Sequence, residues 1–132
     1  MNKTILITGS IFGLVGVCLG AFAAHGLEAL ITEDAIKSFE TGVRYQIYHA
    51  FLLLILGSTQ MLPAQWKKPI FYLVLFGVVM FSGSIYGLAT NDLSVFDFTT
   101  IALVTPFGGL LLILAWLILL IALIKDRSNL LN

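Results

Sequence analysis

The sequence predicts an all-α membrane protein of four transmembrane helices, and three observations carry that prediction. Of 132 residues, 59% are apolar and only 11% are charged, against roughly 45–50% and about 25% in a soluble domain. The mean hydropathy is +1.02. The apolar residues gather into stretches close to the ~20 residues a helix needs to cross a hydrocarbon core. Polar punctuation divides them into spans at about 4–24, 43–61, 70–89 and 106–124, with an amphipathic extension over about 32–42 that runs into the second. Four spans leave room only for short connections, so residues 1–132 read as a single four-span membrane domain. Seven acidic and seven basic residues sum to zero, and no basic run exceeds Lys67-Lys68. Phosphate recognition needs clustered Lys and Arg, so nucleic acid is excluded as a partner.

The first span begins near Thr4. Ala21-Phe22-Ala23 has the A-x-A form of a signal cleavage site, but the apolar stretch from Ile5 to Ala24 is longer than a signal core of ~7–15 residues. Gly9, Gly13, Gly16 and Gly20 recur every three or four residues and share one helix face. Small residues so aligned let a second helix approach closely, the main packing device where lipid removes any hydrophobic preference between helices. Cys18, the single cysteine, has apolar neighbours and reads as a buried small hydrophobe.

The stretch from His25 to Gly42 is acidic, with Glu28, Glu33, Asp34 and Glu40 against Lys37. Thr32 suits an N-cap, Glu33 and Asp34 favour the positive end of a helix dipole, and Ile36, Phe39, Val43, Ile47, Ala50 and Leu54 repeat with helical spacing. One helix therefore continues into the second span, with Gly42 as the expected bend. Pro63, Lys67, Lys68 and Pro69 predict a compact turn, with Pro69 opening the third span. Gly83 and Gly87 form a G-x-x-x-G packing pair, and Ser82 and Ser84 read as interhelical hydrogen-bonders. Thr105-Pro106 predicts the cap and first turn of the fourth span, where Gly108 and Gly109 are expected to pack against the first or third. Phe98 to Val104 is left as an interfacial or re-entrant piece, or as the start of a fourth span kinked at Pro106.

Lys3, Lys67, Lys68, Lys125 and Arg127 fall on one side of this topology with Asp126, whereas Lys37 and Arg44 share the other with the remaining six acids. The positive-inside rule puts both termini in the cytoplasm of a multi-pass plasma-membrane protein. Ionisable groups at membrane depth are the candidates for function because lipid penalises them, and Arg44 and His49 qualify. Glu40 and Arg44, and Tyr45 and His49, are each spaced i,i+4, and His25 and Glu28 end the first span at a similar level. His25, Glu28, Glu40, Arg44, Tyr45 and His49 thus form the candidate ligand-binding cluster of the outer leaflet, suited to a lipid head group or a small solute. Two histidines 24 positions apart without a cysteine pair give no metal-ligand signature; no cofactor and no catalytic constellation is expected.

Four blocks occur in order: Gly20-Ala21-Phe22-Ala23-Ala24-His25-Gly26-Leu27, Phe39-Glu40-Thr41-Gly42-Val43-Arg44-Tyr45-Gln46-Ile47-Tyr48-His49-Ala50, Phe81-Ser82-Gly83-Ser84-Ile85-Tyr86, and Thr105-Pro106-Phe107-Gly108-Gly109 with Trp116. This set resembles the YgdD-like family of small bacterial inner-membrane proteins, a domain of unknown function with small eukaryotic transmembrane relatives. The resemblance implies a four-span protein of the plasma membrane and supplies no activity or substrate. The sequence thus points to a non-enzymatic protein that binds membrane lipids and self-associates as a homo-oligomer through its glycine faces. Two alternatives stand beside it: a small transporter or proton-conducting oligomer with Arg44 and His49 on its path, and an intramembrane enzyme on a lipid or quinone with His25 or His49 as base and Glu28 or Glu40 as orienter.

Overall fold

A computed structural model describes the backbone of residues 1–130 and the side chains of residues 1–126. Four helices follow one another up and down: α1 (Asn2–His25), α2 (Glu33–Ser58), α3 (Ala64–Ala89) and α4 (Val104–Leu130). Short 3-10 turns at Leu27–Ala29, Asn91–Leu93 and Phe98–Ile101 occupy the two connections at one end, and no strand occurs among the described residues. Three stretches are long and apolar enough to cross a membrane: Asn2–His25, Ala64–Ala89 and Phe98–Asp126. The fourth helix, α2, has 26 residues, about 39 Å at 1.5 Å each, but Arg44, Gln46 and His49 dilute its hydropathy.

The start of α2 follows from its sequence. Thr32 is the N-cap, its hydroxyl accepting from the Ala35 N–H at 3.2 Å, with Glu33 and Asp34 in the first turn. The helix then runs unbroken through Gly42, which is a contact and not a bend: a Cβ there would sit 2.8 Å from Tyr86 Cε1 of α3. It stops at Ser58, short of Met61, where Thr59 turns to an extended conformation.

The connection to α3 also departs from expectation. Pro63 is the N-cap, its carbonyl accepting from Trp66 and Lys67, so Lys67 and Lys68 lie inside the helix and Pro69 is its sixth residue. Only the single bond that the Pro69 nitrogen would have made is lost, close to the helix start. Lys67 is 3% exposed. Its ammonium donates to the Thr59 carbonyl at 2.5 Å and to Asn2 Oδ1 at 3.2 Å, tying the end of α2 to the start of α1. At the other end α4 begins at Val104, two residues before Pro106, whose missing N–H falls among the orphan donors of a first turn. The 3-10 turn Phe98–Ile101 leads directly into α4, the two together making the candidate span Phe98–Asp126, and the Phe98 ring packs on Gly87.

The chain packs in sequence order, α1 on α2, α2 on α3 and α3 on α4. Gly9 faces Ala50, Leu53 and Leu54, Gly13 faces Ala50, Gly16 faces Ile47, and Gly20 faces Val43, so the glycine face of α1 is covered by α2 of the same chain. Gly77 meets Leu112, and Gly108 meets the backbone of Met80 and Phe81 where α3 and α4 cross, with Gly109 beside the Phe81 ring. Gly83 has open space where its partner was expected. Ile5, Leu53, Leu56, Ile70 and Val74 form the main core, and Ala23, Leu27, Phe39 and Ala89 a second one near the 3-10 turns. Cys18 is exposed on the outward face of α1; apolar neighbours in sequence are as compatible with lipid as with a core.

Candidate functional site

Two polar side chains of α2, Gln46 and His49, are turned inward, where they bind neighbouring helices together. Gln46, buried, donates through Nε2 to the Phe12 carbonyl of α1 at 2.9 Å and accepts through Oε1 from the Tyr86 hydroxyl of α3 at 2.7 Å. The Ser82 hydroxyl donates to the Gly42 carbonyl at 2.7 Å, and Ser84 pairs with Thr105 of α4 at 2.5 Å, so both serines bridge helices. Gln46 lies three residues before His49 on the same helix face, and that spacing is the signal in the sequence that marks it.

His49 is 3% exposed and has both ring nitrogens engaged. Trp116 Nε1 of α4 lies 3.1 Å from His49 Nε2, and Nδ1 lies 2.6 Å from the Tyr45 carbonyl. An indole N–H only donates, so Nε2 accepts and the single ring proton sits on Nδ1, where it donates to Tyr45. This assignment comes from the hydrogen-bond network. It makes His49 a neutral link between α2 and α4, with no lone pair left for general-base work. Because Gly13, near the centre of α1, faces Ala50, the His49–Trp116 pair sits at mid-depth in the bundle.

A pocket of about 400 Å³ opens beside this pair. Tyr45 and His49 line it from α2, Phe81 from α3, and Gly109, Leu112, Ile113 and Trp116 from α4. Its walls are aromatic: the Tyr45 ring is 5.1 Å from Phe81 and 5.8 Å from Tyr48, and His49 meets Trp116 edge-on at 6.2 Å. Gly109 leaves the floor open by having no side chain. Tyr45, Ile113 and Trp116 are exposed at the rim, so the pocket opens sideways, towards the surface that apolar Ile113 and Leu110 share.

Of the six residues singled out from sequence, Tyr45 and His49 meet in this pocket. His25, in the last turn of α1, and Glu28, in the 3-10 turn after it, are exposed, as are Glu40 and Arg44. Glu40 and Arg44 make no ion pair despite their spacing; the described pair on this helix is Lys37 with Glu33 at 3.6 Å. Among the described residues no three His, Cys, Asp or Glu side chains gather into a metal-binding group. Trp116 is the site residue least visible in isolation, because an apolar fourth span gives no reason to prefer one of its positions. What the arrangement can do is accept an apolar or aromatic group from the side, past a rim of Tyr45, Ile113 and Trp116.

A family model described as a protein of unknown function, DUF423, matches residues 19–109. A UPF0382 membrane protein of Staphylococcus epidermidis is 36% identical over 126 residues, covering 93% of this chain and 97% of its own. The UPF0382 membrane protein YwdK of Bacillus subtilis is 34% identical over 131 residues, with 93% and 98% covered. One from Haemophilus influenzae is 31% identical over 128 residues, with 97% and 99% covered. No solved structure matches.

Proposed function

The chain belongs to the DUF423 family of uncharacterised bacterial membrane proteins, and on that premise we propose that it is a non-enzymatic four-span protein of the plasma membrane that binds an amphipathic lipid. The apolar part of the lipid enters the pocket between α2 and α4, and its head group reaches the level of Arg44, Glu40, His25 and Glu28. The observation that carries this reading is the lateral, aromatic-walled pocket of about 400 Å³, within the usual range of ~300–1,000 Å³ for small-molecule sites. The engagement of both His49 nitrogens favours binding over proton relay or base catalysis.

What supports α2 as a span is its place between α1 and α3 and the inward direction of Gln46 and His49, so that Phe51 and Ile55 face lipid in their stead. Lys67 and Lys125 share one end of the bundle, Lys125 lying 5.8 Å from the Trp66 ring, while Glu28, Glu33, Asp34 and Glu40 share the other; that asymmetry supports cytoplasmic termini. The YgdD-like label belongs to this proposal as well. Since α2 fills the glycine face of α1, self-association falls to the outward Gly83 of α3.

The test is co-purification. Wild-type protein extracted from bacterial membranes in mild detergent is compared by lipid mass spectrometry with Ile113→Trp, which fills the pocket from an exposed rim position, and with Arg44→Gln. Ile113→Trp is expected to lose the enriched lipid and Arg44→Gln to shift its head-group class. A lipid profile identical in all three proteins refutes the reading.

A further inference from the structure

We infer that the connection over residues 93–103 is a lipid-docking surface, seated in the boundary between head groups and acyl chains of the outer leaflet. Its apolar side chains point away from the protein: Val95 is fully exposed, Leu103 84% exposed, and Leu93, Phe96 and Ile101 are exposed with them. Single exposed apolar residues are ordinary, but a group of this kind on one short loop marks a surface that something apolar covers.

Two further observations identify the cover as lipid. Much of the loop's backbone is paired within the connection itself. The Phe96 N–H donates to Ser94 Oγ at 3.1 Å, Phe98 N–H to Asn91 Oδ1 at 2.7 Å, and Thr99 N–H to Asp97 Oδ1 at 3.0 Å. Leu93, Ser94, Thr100 and Ala102 donate to carbonyls within the same connection. In a medium poor in water each donor left unpaired costs several kcal/mol, so this internal pairing suits the loop to the membrane boundary. The apolar surface is also continuous with the outward face of α4: Leu103 leads directly into the helix, where Phe107, Leu110 and Ile113 are exposed in turn. Phe98, packed on Gly87 at the end of α3, holds the loop down at that level. Aromatic and aliphatic side chains at the membrane boundary are the arrangement that interfacial segments use.

The experiment places a polarity-sensitive fluorophore on Val95→Cys and, separately, on Leu103→Cys, each in a Cys18→Ser background of the full chain. The proteins are reconstituted in vesicles of phosphatidylethanolamine and phosphatidylglycerol. Glu33→Cys, on the exposed first turn of α2, is the aqueous reference. Both loop labels are expected to be quenched by nitroxide-bearing lipids and to show several-fold weaker quenching by iodide, present on both sides of the bilayer, than the label at 33. Iodide quenching equal to the reference means the loop projects into water and overturns the inference. Protection from both quenchers means a protein surface covers it and overturns the inference equally. Both positions are exposed, so labelling removes no packing contact and folding is not at issue.

Discussion

Replacing single glycines by alanine separates the helix crossings that need a glycine from the positions that merely contain one. Every such change in a helix gains about 1 kcal/mol of helix propensity. The opposing term depends on what the new methyl meets. At Gly108 it meets the backbone nitrogen of Phe81 and, at 2.9 Å, the Met80 carbonyl carbon, rigid atoms that yield only if α4 moves away from α3. Overpacking of this kind costs about 1–3 kcal/mol, and the separation also stretches the Ser84–Thr105 bond. Gly108→Ala is therefore expected to be net destabilising by up to about 2 kcal/mol. At Gly83 no atom lies within 4 Å, and at Gly13 only the Ala50 methyl lies at 3.9 Å, so Gly83→Ala and Gly13→Ala keep most of the propensity gain. Gly9→Ala, facing the Ala50 carbonyl oxygen at 3.1 Å and the Leu54 nitrogen at 3.2 Å, falls between. The assay is reversible unfolding in mixed micelles of mild detergent and dodecyl sulfate, followed by tryptophan fluorescence. If Gly108→Ala unfolds at the same dodecyl sulfate fraction as Gly83→Ala, the crossing does not rest on the glycine and the reasoning fails.

Three other outcomes follow from the same geometry. Gln46→Leu removes the acceptor of the half-buried Tyr86 hydroxyl and the donor to Phe12; interhelical hydrogen bonds average about 0.6 kcal/mol and an orphaned hydroxyl adds about 1–3, so a loss near 2 kcal/mol is expected. A double-mutant cycle with Tyr86→Phe should show a coupling of about 1 kcal/mol, and strict additivity would contradict the bond. Trp116→Phe leaves His49 Nε2 without its donor and should cost about 1 kcal/mol; an unchanged imidazole nitrogen NMR shift in that variant would show that the two rings do not touch. Asp97, whose carboxylate accepts from the Thr99 hydroxyl and N–H, is held below the usual carboxylate range by those bonds. A depressed folded value means the bond stabilises the loop above the ordinary carboxylate range and is lost as pH falls through the lower one. Exchange of the Thr99 amide proton should therefore lose protection on the acid side in the wild type, and Asp97→Asn should flatten that dependence; equal pH profiles would argue against it.

The helices follow from local properties of the chain. Their number, the Thr32 cap, the unbroken run from the acidic segment into α2 and the three stretches fit to cross a membrane all depend on hydropathy and capping, which act within a few residues. The exact boundaries are less legible: the Ser58 stop, the Pro63 start that draws Lys67 and Pro69 into α3, and the Val104 start of α4. Which faces turn inward depends on contacts between helices. Gln46 and His49 find partners on three other helices, Lys67 buries its charge between the ends of α1 and α2, α2 fills the glycine face of α1, and Cys18 and Gly83 look outward. The physical reason is that lipid is as apolar as a protein core. In a soluble protein an apolar stripe marks the inside; in a spanning helix leucines and isoleucines suit both sides equally. The direction of each helix, and with it the pocket between Tyr45 and Trp116, is fixed by small residues and hydrogen-bond partners that belong to other helices.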